Sequence, residues 1–161
     1  MIQEKYNNKI WSDGTEESIR TYSHLRANIL SPVEIKGSDT VLCLEPDSVS
    51  MVEYLEEKAE SVTVKSQEDE LPSDRFDLVI SLGSLKETPG SIKKILNPEG
   101  RLVVAIPKEA GTFSVVKKLI TEAGFDSIEI YRACPDYLYT SEFFAEDYAG
   151  GEAGDYLLIA K

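Results

Sequence analysis

Apolar residues in this chain gather in short dense runs separated by turn-forming residues. The runs at 41–44, 76–82, 101–105 and 154–160 are near-continuous, as strands covered on both faces should be. Residues 61–65 (Ser-Val-Thr-Val-Lys) and 125–131 alternate more openly and predict two further strands. Between them lie segments with a helical period. Residues 50–59 offer Met51, Val52, Tyr54 and Leu55 to one side, with Glu53, Glu56, Glu57 and Glu60 as a solvated face. Residues 112–123 offer Phe113, Val116, Leu119 and Ile120, with Gly124 as the C-terminal cap. A short helix is predicted near 89–96. Strands alternating with helices predict an α/β fold on an open, mostly parallel sheet.

An earlier helix is predicted over 15–30, with Asp13 and Glu16 at capping-box spacing and Ile19, Tyr22, Leu25 or Arg26, and Ile29 along one face. Ser31-Pro32 ends it, because proline disfavours helical geometry at the preceding residue. Gly37-Ser38-Asp39 turns the chain into the first strand. Residues 1–38 thus read as an arm and a helix, and 39–161 as the core of one domain.

Composition narrows the function classes. The chain has 161 residues and a formal charge of −12. A surface so acidic, with no basic stripe, lacks what a nucleic-acid phosphate backbone requires. No apolar run is long enough to span a bilayer, and Met1-Ile2-Gln3-Glu4-Lys5 opens no signal-peptide core, so a cytoplasmic location is expected. Cys43 and Cys134 have neither disulfide-framework nor metal spacing, and the single histidine argues against histidine-based metal sites.

Candidate chemistry concentrates at the first strand and its turn, Val41-Leu42-Cys43-Leu44-Glu45-Pro46-Asp47-Ser48-Val49. In an open α/β sheet a nucleotide-type cofactor lies in the turn after the first strand, against the next helix. This stretch resembles the class I S-adenosylmethionine (SAM) methyltransferases, as do Phe76-Asp77-Leu78-Val79-Ile80 and Leu96-Asn97-Pro98-Glu99-Gly100-Arg101. The resemblance implies a Rossmann-like sheet of order 2-1-4-5-7-6, with an antiparallel pair at the far edge and the third strand with its helices deleted. It also implies an acidic residue and then Gly-x-Gly-x-Gly where this chain has Cys43 and then Glu45, Asp47 and Val49. Ser66 stands where the family places the acid that holds the ribose, and Glu68 and Asp69 are offset from it. Ser81 lies near the end of the run 76–82 and Gly83 follows it, where the family places groups near the transferred methyl. The segment 66–75 carries no strand or helix pattern; ten residues reach about 33 Å, enough to cross one neighbouring strand.

Two carboxylates and a branched residue replace glycines that would permit positive φ and close backbone approach. Glu45 and Asp47 would also face the carboxylate of SAM itself. Like charges a few ångströms apart oppose each other by about 4 kcal/mol at an effective dielectric of about 20. That is half of the roughly 8 kcal/mol in a micromolar affinity.

Tyr6-Asn7-Asn8-Lys9-Ile10-Trp11-Ser12-Asp13-Gly14-Thr15, Pro135-Asp136-Tyr137 and Glu146-Asp147-Tyr148 are similar to a bacterial methyltransferase-like subgroup linked to surface-glycan assembly. Members of that subgroup carry the glycine loop. Through the same resemblance Tyr22, His24, Asp136 and Tyr137 become candidate cleft residues. An ordinary surface histidine and a set of core-closing aromatics are the simpler readings of them.

The expectation is a methyltransferase-like domain without SAM or catalysis, acting in binding, assembly or regulation. The alternatives are a divergent active methyltransferase using Glu68 or Asp69, and a sensor whose Glu45 and Asp47 hold a cation. No metal is expected. Deletion of the third strand leaves the second as an edge, which invites a homodimer.

Overall fold

The computed structural model describes residues 12–46, 48–83, 85–107, 113–134, 138, 140, 142–145 and 155–161. Among the described residues seven strands form one sheet: β1 (Thr40–Leu44), β2 (Ser61–Lys65), β3 (Phe76–Leu82), β4 (Leu96–Ile106), β5 (Ile128–Cys134), β6 (Glu142–Ala145) and β7 (Asp155–Ala160). Their order is β2-β1-β3-β4-β7-β5-β6. Counted with the missing third strand, this is the expected 2-1-4-5-7-6 with one strand added. The pairings β1–β2, β1–β3 and β3–β4 are parallel, whereas β4–β7, β5–β7 and β5–β6 are antiparallel. The sheet is therefore mixed rather than mostly parallel.

Alternation along the strands divides the core between the two faces. Val41, Cys43, Leu78, Ile80 and Val103 face one side. There they meet Met51 and Leu55 of α2 (Val49–Lys58) and Ile29 and Leu30 of a 3-10 helix (His24–Leu30). Leu42, Leu44, Val79, Leu102 and Val104 face the other. Ile92 of α3 (Pro89–Lys94) and Ile120 of α4 (Phe113–Glu122) cover them, and Leu71 from the β2–β3 connection packs against the same cluster. That connection, residues 66–75, contains neither helix nor strand, as expected, and β2 is an edge of the sheet.

Several expectations are corrected. The helix predicted over 15–30 is two: α1 (Glu16–Tyr22) and the 3-10 helix, parted at Ser23, whose ψ of 129° is extended. The break turns Arg26 inward, fully buried with its guanidinium donating to Leu138 O at 3.0 Å, and leaves Ile19 and Leu25 exposed. Thr15, not Asp13, caps α1: its hydroxyl oxygen accepts the Ser18 N–H at 3.1 Å while its proton goes to Asp13 Oδ2. Leu119 is exposed and Ile120 alone of α4 is buried. β5 starts at Ile128 rather than residue 125, and the Asp126 and Ser127 N–H groups bond Lys161 O, just past the end of β7. β4 begins early, at Leu96, through a register shift opposite Phe76 and Leu78. Gly100 belongs to that irregularity, since an added Cβ would lie 2.8 Å from Asn97 O.

Two polar contacts fix the amino ends of the central strands. Asp77 on β3 accepts the N–H and the hydroxyl of Thr40 on β1, both at 2.9 Å, and the Asn97 amide of β4 at 2.7 Å. Arg101 of β4 is buried against Asp39 at 2.6 Å and also donates to Glu34 O.

Breaking a buried ion pair from one side strands the other charge. Asp39→Ala is therefore expected to lower the unfolding free energy by about 3 kcal/mol in urea titration; a loss below about 1 kcal/mol contradicts the assignment. The Thr40 backbone hydrogen bond, followed by that from Asn97, holds the Asp77 carboxyl below the ordinary aspartate range. A lowered folded-state pKa adds stability above the unfolded value of about 3.9 and loses it as pH falls through the folded one. Urea midpoints measured downward from pH 6 should fall less steeply below pH 4 in Asp77→Asn than in the unaltered chain. Parallel curves would contradict it.

Candidate functional site

The topological switch point lies between β1 and β3, whose carboxyl ends lead to neighbours on opposite sides. The turn after β1 is built on Glu45. Its N–H donates to Lys65 O at 2.6 Å, which carries the β1–β2 ladder one residue further. Its φ is +50°, a left-handed conformation that disfavours any residue with a Cβ. Glu45 is the only non-glycine residue with positive φ among the described residues. An exposed glutamate thus carries the left-handed backbone at the position where the resemblance expects the first glycine. Asp47 lies outside the described residues. Val49 needs no unusual conformation, because it is the first residue of α2, and its side chain is exposed.

Ser48 caps α2, accepting the Met51 N–H at 3.4 Å. Ser48 and Ser50 are both buried, and their hydroxyls lie 2.8 Å apart. Ser50 donates to Ser23 O at 2.7 Å, and Ser48 Oγ lies 3.2 Å from Thr21 O. Two protons serve three oxygen–oxygen contacts. The Ser50 proton goes to Ser23 O, and the Ser48 proton is divided between Ser50 Oγ and Thr21 O. The start of α2 is thereby tied to the junction of α1 with the 3-10 helix.

The other side of the β1 end is also tied. Gln67, buried at 6% exposure, accepts the Lys86 N–H at 2.8 Å. The Lys86 ammonium pairs with Glu68, which raises its pKa, and Glu45 adds a smaller effect in the same direction. The segments after β2 and β3 are joined in this way across the end of β1, which lies between them. Ser66 and Asp69 close a local turn: the Ser66 N–H donates to Asp69 Oδ2 and the Glu68 N–H to Ser66 Oγ, both at 3.2 Å.

The remaining candidates disperse. Cys43 is wholly buried in the first core, as its strand position predicts. Ser81 is wholly buried between Leu44 and Val104. Gly83, φ +87°, extends β3 by donating to Ala105 O at 2.9 Å. Among the described residues a cleft of about 310 Å³ at the turn is lined by Thr21, Pro46, Ser48, Val49 and Val52. His24 is exposed and lines a separate cavity of about 340 Å³ between the 3-10 helix and α2, with Ser50 and Tyr54, whose phenol pKa is raised by burial. Tyr22 is half-buried and does not line that cavity. Asp136 and Tyr137 lie outside the described residues. Among the described residues no group of three or more His, Cys, Asp or Glu is placed to hold a metal, and no helix is long and apolar enough to cross a membrane.

Sequence reasoning missed Gln67, Lys86 and Thr21. Gln67 and Lys86 sit in polar loops whose pairing depends on the sheet order, and Thr21 acts through its backbone carbonyl. Ser48 before an apolar helix was a legible cap signal.

No protein-family model matches the chain, and no curated protein matches it in sequence. Solved structures do match in fold. A precorrin 8w decarboxylase from Methanobacterium thermoautotrophicum superposes with a TM-score of 0.57 at 16% identity, covering 88% of this chain and 91% of that one. A precorrin-6y C5,15-methyltransferase from Geobacter metallireducens gives 0.56 at 15% identity, covering 88% of each chain. A SAM-dependent methyltransferase from Thermotoga maritima, a "possible histamine N-methyltransferase", gives 0.53 at 14% identity over 98% of this chain and 94% of that one.

The left-handed position yields a direct test. Glu45→Gly removes a Cβ from positive φ and adds unfolded-state entropy, for a net gain of about 0.5 kcal/mol. Glu45→Ala, which keeps the Cβ, should gain nothing. Denaturant midpoints check both, and a loss on Glu45→Gly contradicts the reading.

Proposed function

We propose that this chain, which has the Rossmann-like fold of class I methyltransferases, no longer holds SAM and works as a binding, assembly or regulatory module. The closed end of β1 carries the reading. The carboxylate of Glu45 stands at the turn where the anionic end of the cofactor would lie. The Gln67–Lys86 tie crosses the adjoining space, where the adenosyl group would sit. Ser66 and Asp69, at and beside the ribose position, are engaged with each other, and Glu68 with Lys86. The deleted third strand removes a further wall. These residues do not fit the cofactor, and no catalytic step is derived through it. The resemblance of Pro135-Asp136-Tyr137 and Glu146-Asp147-Tyr148 supports a place beside surface-glycan enzymes.

One observation favours a second reading, a divergent active methyltransferase: the left-handed turn survives at Glu45. Isothermal calorimetry with SAM and with S-adenosylhomocysteine separates the two. The first reading predicts no saturable heat from either compound up to about 1 mM. Micromolar binding of either overturns it, and Asp69→Ala and Glu68→Ala would then be expected to abolish that binding.

A further inference from the structure

The outer edge of β2 has a hydrogen-bonding pattern that its own sequence can satisfy. In a parallel ladder, alternate residues turn both N–H and C=O to the same neighbour. Lys65 O accepts the Glu45 N–H from the β1 side, in the register Thr40↔Ser61 to Leu44↔Lys65. Ser61, Thr63 and Lys65 therefore face β1, and Val62 and Val64 turn their backbone groups outward. Among the described residues no strand pairs with that side. The Val64 side chain is 48% exposed, while Val62 is partly buried against the first core. A bare edge with an exposed branched apolar residue is a template for another strand.

We propose that a second copy of this chain occupies the edge, its β2 antiparallel to the first about a two-fold axis at Thr63. In that register Val62 of each copy faces Val64 of the other in a hydrogen-bonded pair, using all four outward groups of each valine pair. Thr63 faces its own copy in a non-hydrogen-bonded pair, Ser61 faces Lys65, and Glu60 faces Ser66. No like charges meet across the seam, and the valine pairs extend the first core. The reversed, parallel arrangement cannot close about a two-fold axis. The net charge of −12 opposes association only weakly at physiological salt, where screening acts within about 8 Å. One short strand pair buries little surface, so the dimer belongs to the weak class. The inference stands on the sheet edge alone and is independent of cofactor binding.

Thr63→Cys is the most specific probe. A non-hydrogen-bonded pair sets the two Cα atoms about 4.5 Å apart, within disulfide reach. Under mild oxidation the introduced thiols should join two chains at least ten-fold faster than those of Val115→Cys, a site 55% exposed on α4. Peptide mass mapping separates this link from any made by Cys134. Light scattering of the unaltered chain should show the mass rising from 17.9 kDa toward twice that value with concentration. Val64→Pro removes an outward donor that β1 does not use, and should hold the mass at the monomer value with cooperative melting kept. If that variant fails to fold, Val64→Lys replaces it. Equal cross-linking at 63 and 115, a mass fixed at the monomer value at millimolar concentration, or a mass rise that survives the folded Val64 variant would each overturn the proposal.

Discussion

The contact on which the rest of the site depends is the buried hydroxyl pair of Ser48 and Ser50, 2.8 Å apart at the start of α2. A helix that follows the first strand of an open α/β sheet presents unpaired N–H groups at the switch point, and in nucleotide-binding folds those groups meet an anion. Here Ser48 takes the Met51 N–H, the Ser50 proton goes to Ser23 O, and the Ser48 proton is divided between Ser50 Oγ and Thr21 O. Hydroxyls so buried need partners, since an unmet one is penalised by about 1–3 kcal/mol. Satisfying them commits α1, the 3-10 helix and α2 to one arrangement. The helix start becomes part of the protein's own packing.

The same economy of space marks the other side of β1. With the third strand and its helices gone, ten residues carry the chain from β2 to β3. Leu71 from this short connection packs against the second core. Gln67 and Glu68, fixed by Lys86, hold it to the segment after β3. This shortening takes the chain from the carboxyl end of β2 past β1 to the amino end of β3, with Gln67 and Glu68 held beside the carboxyl end of β1. It also bares β2.

The core was legible because strands buried on both faces leave little choice of residue. The runs 76–82 and 61–65 match β3 and β2 residue for residue. The run 101–105 was equally plain, although β4 starts earlier and takes in Pro98-Glu99-Gly100, because its pairing at Leu96 depends on a bulge that no local pattern marks. Helical periodicity ran straight through Ser23, where the helix breaks: its hydroxyl oxygen accepts the Leu25 N–H at 3.3 Å as the cap of the 3-10 helix, and its carbonyl accepts the Ser50 hydroxyl. β6 was hidden in an aromatic and acidic stretch and is defined by its partner β5. At the site, the replacement of glycine by Glu45 was visible. The left-handed backbone beneath it was not, since local sequence with glutamate there argues against that conformation.

The central claim is that the carboxyl end of β1 is closed by the chain's own groups. Titration of S-adenosylhomocysteine into isotope-labelled protein, followed through the backbone amide resonances of residues 45–52 and 66–69, tests it most directly. The account predicts resonances that stay in place to millimolar ligand. Saturable shifts confined to those amides would contradict it.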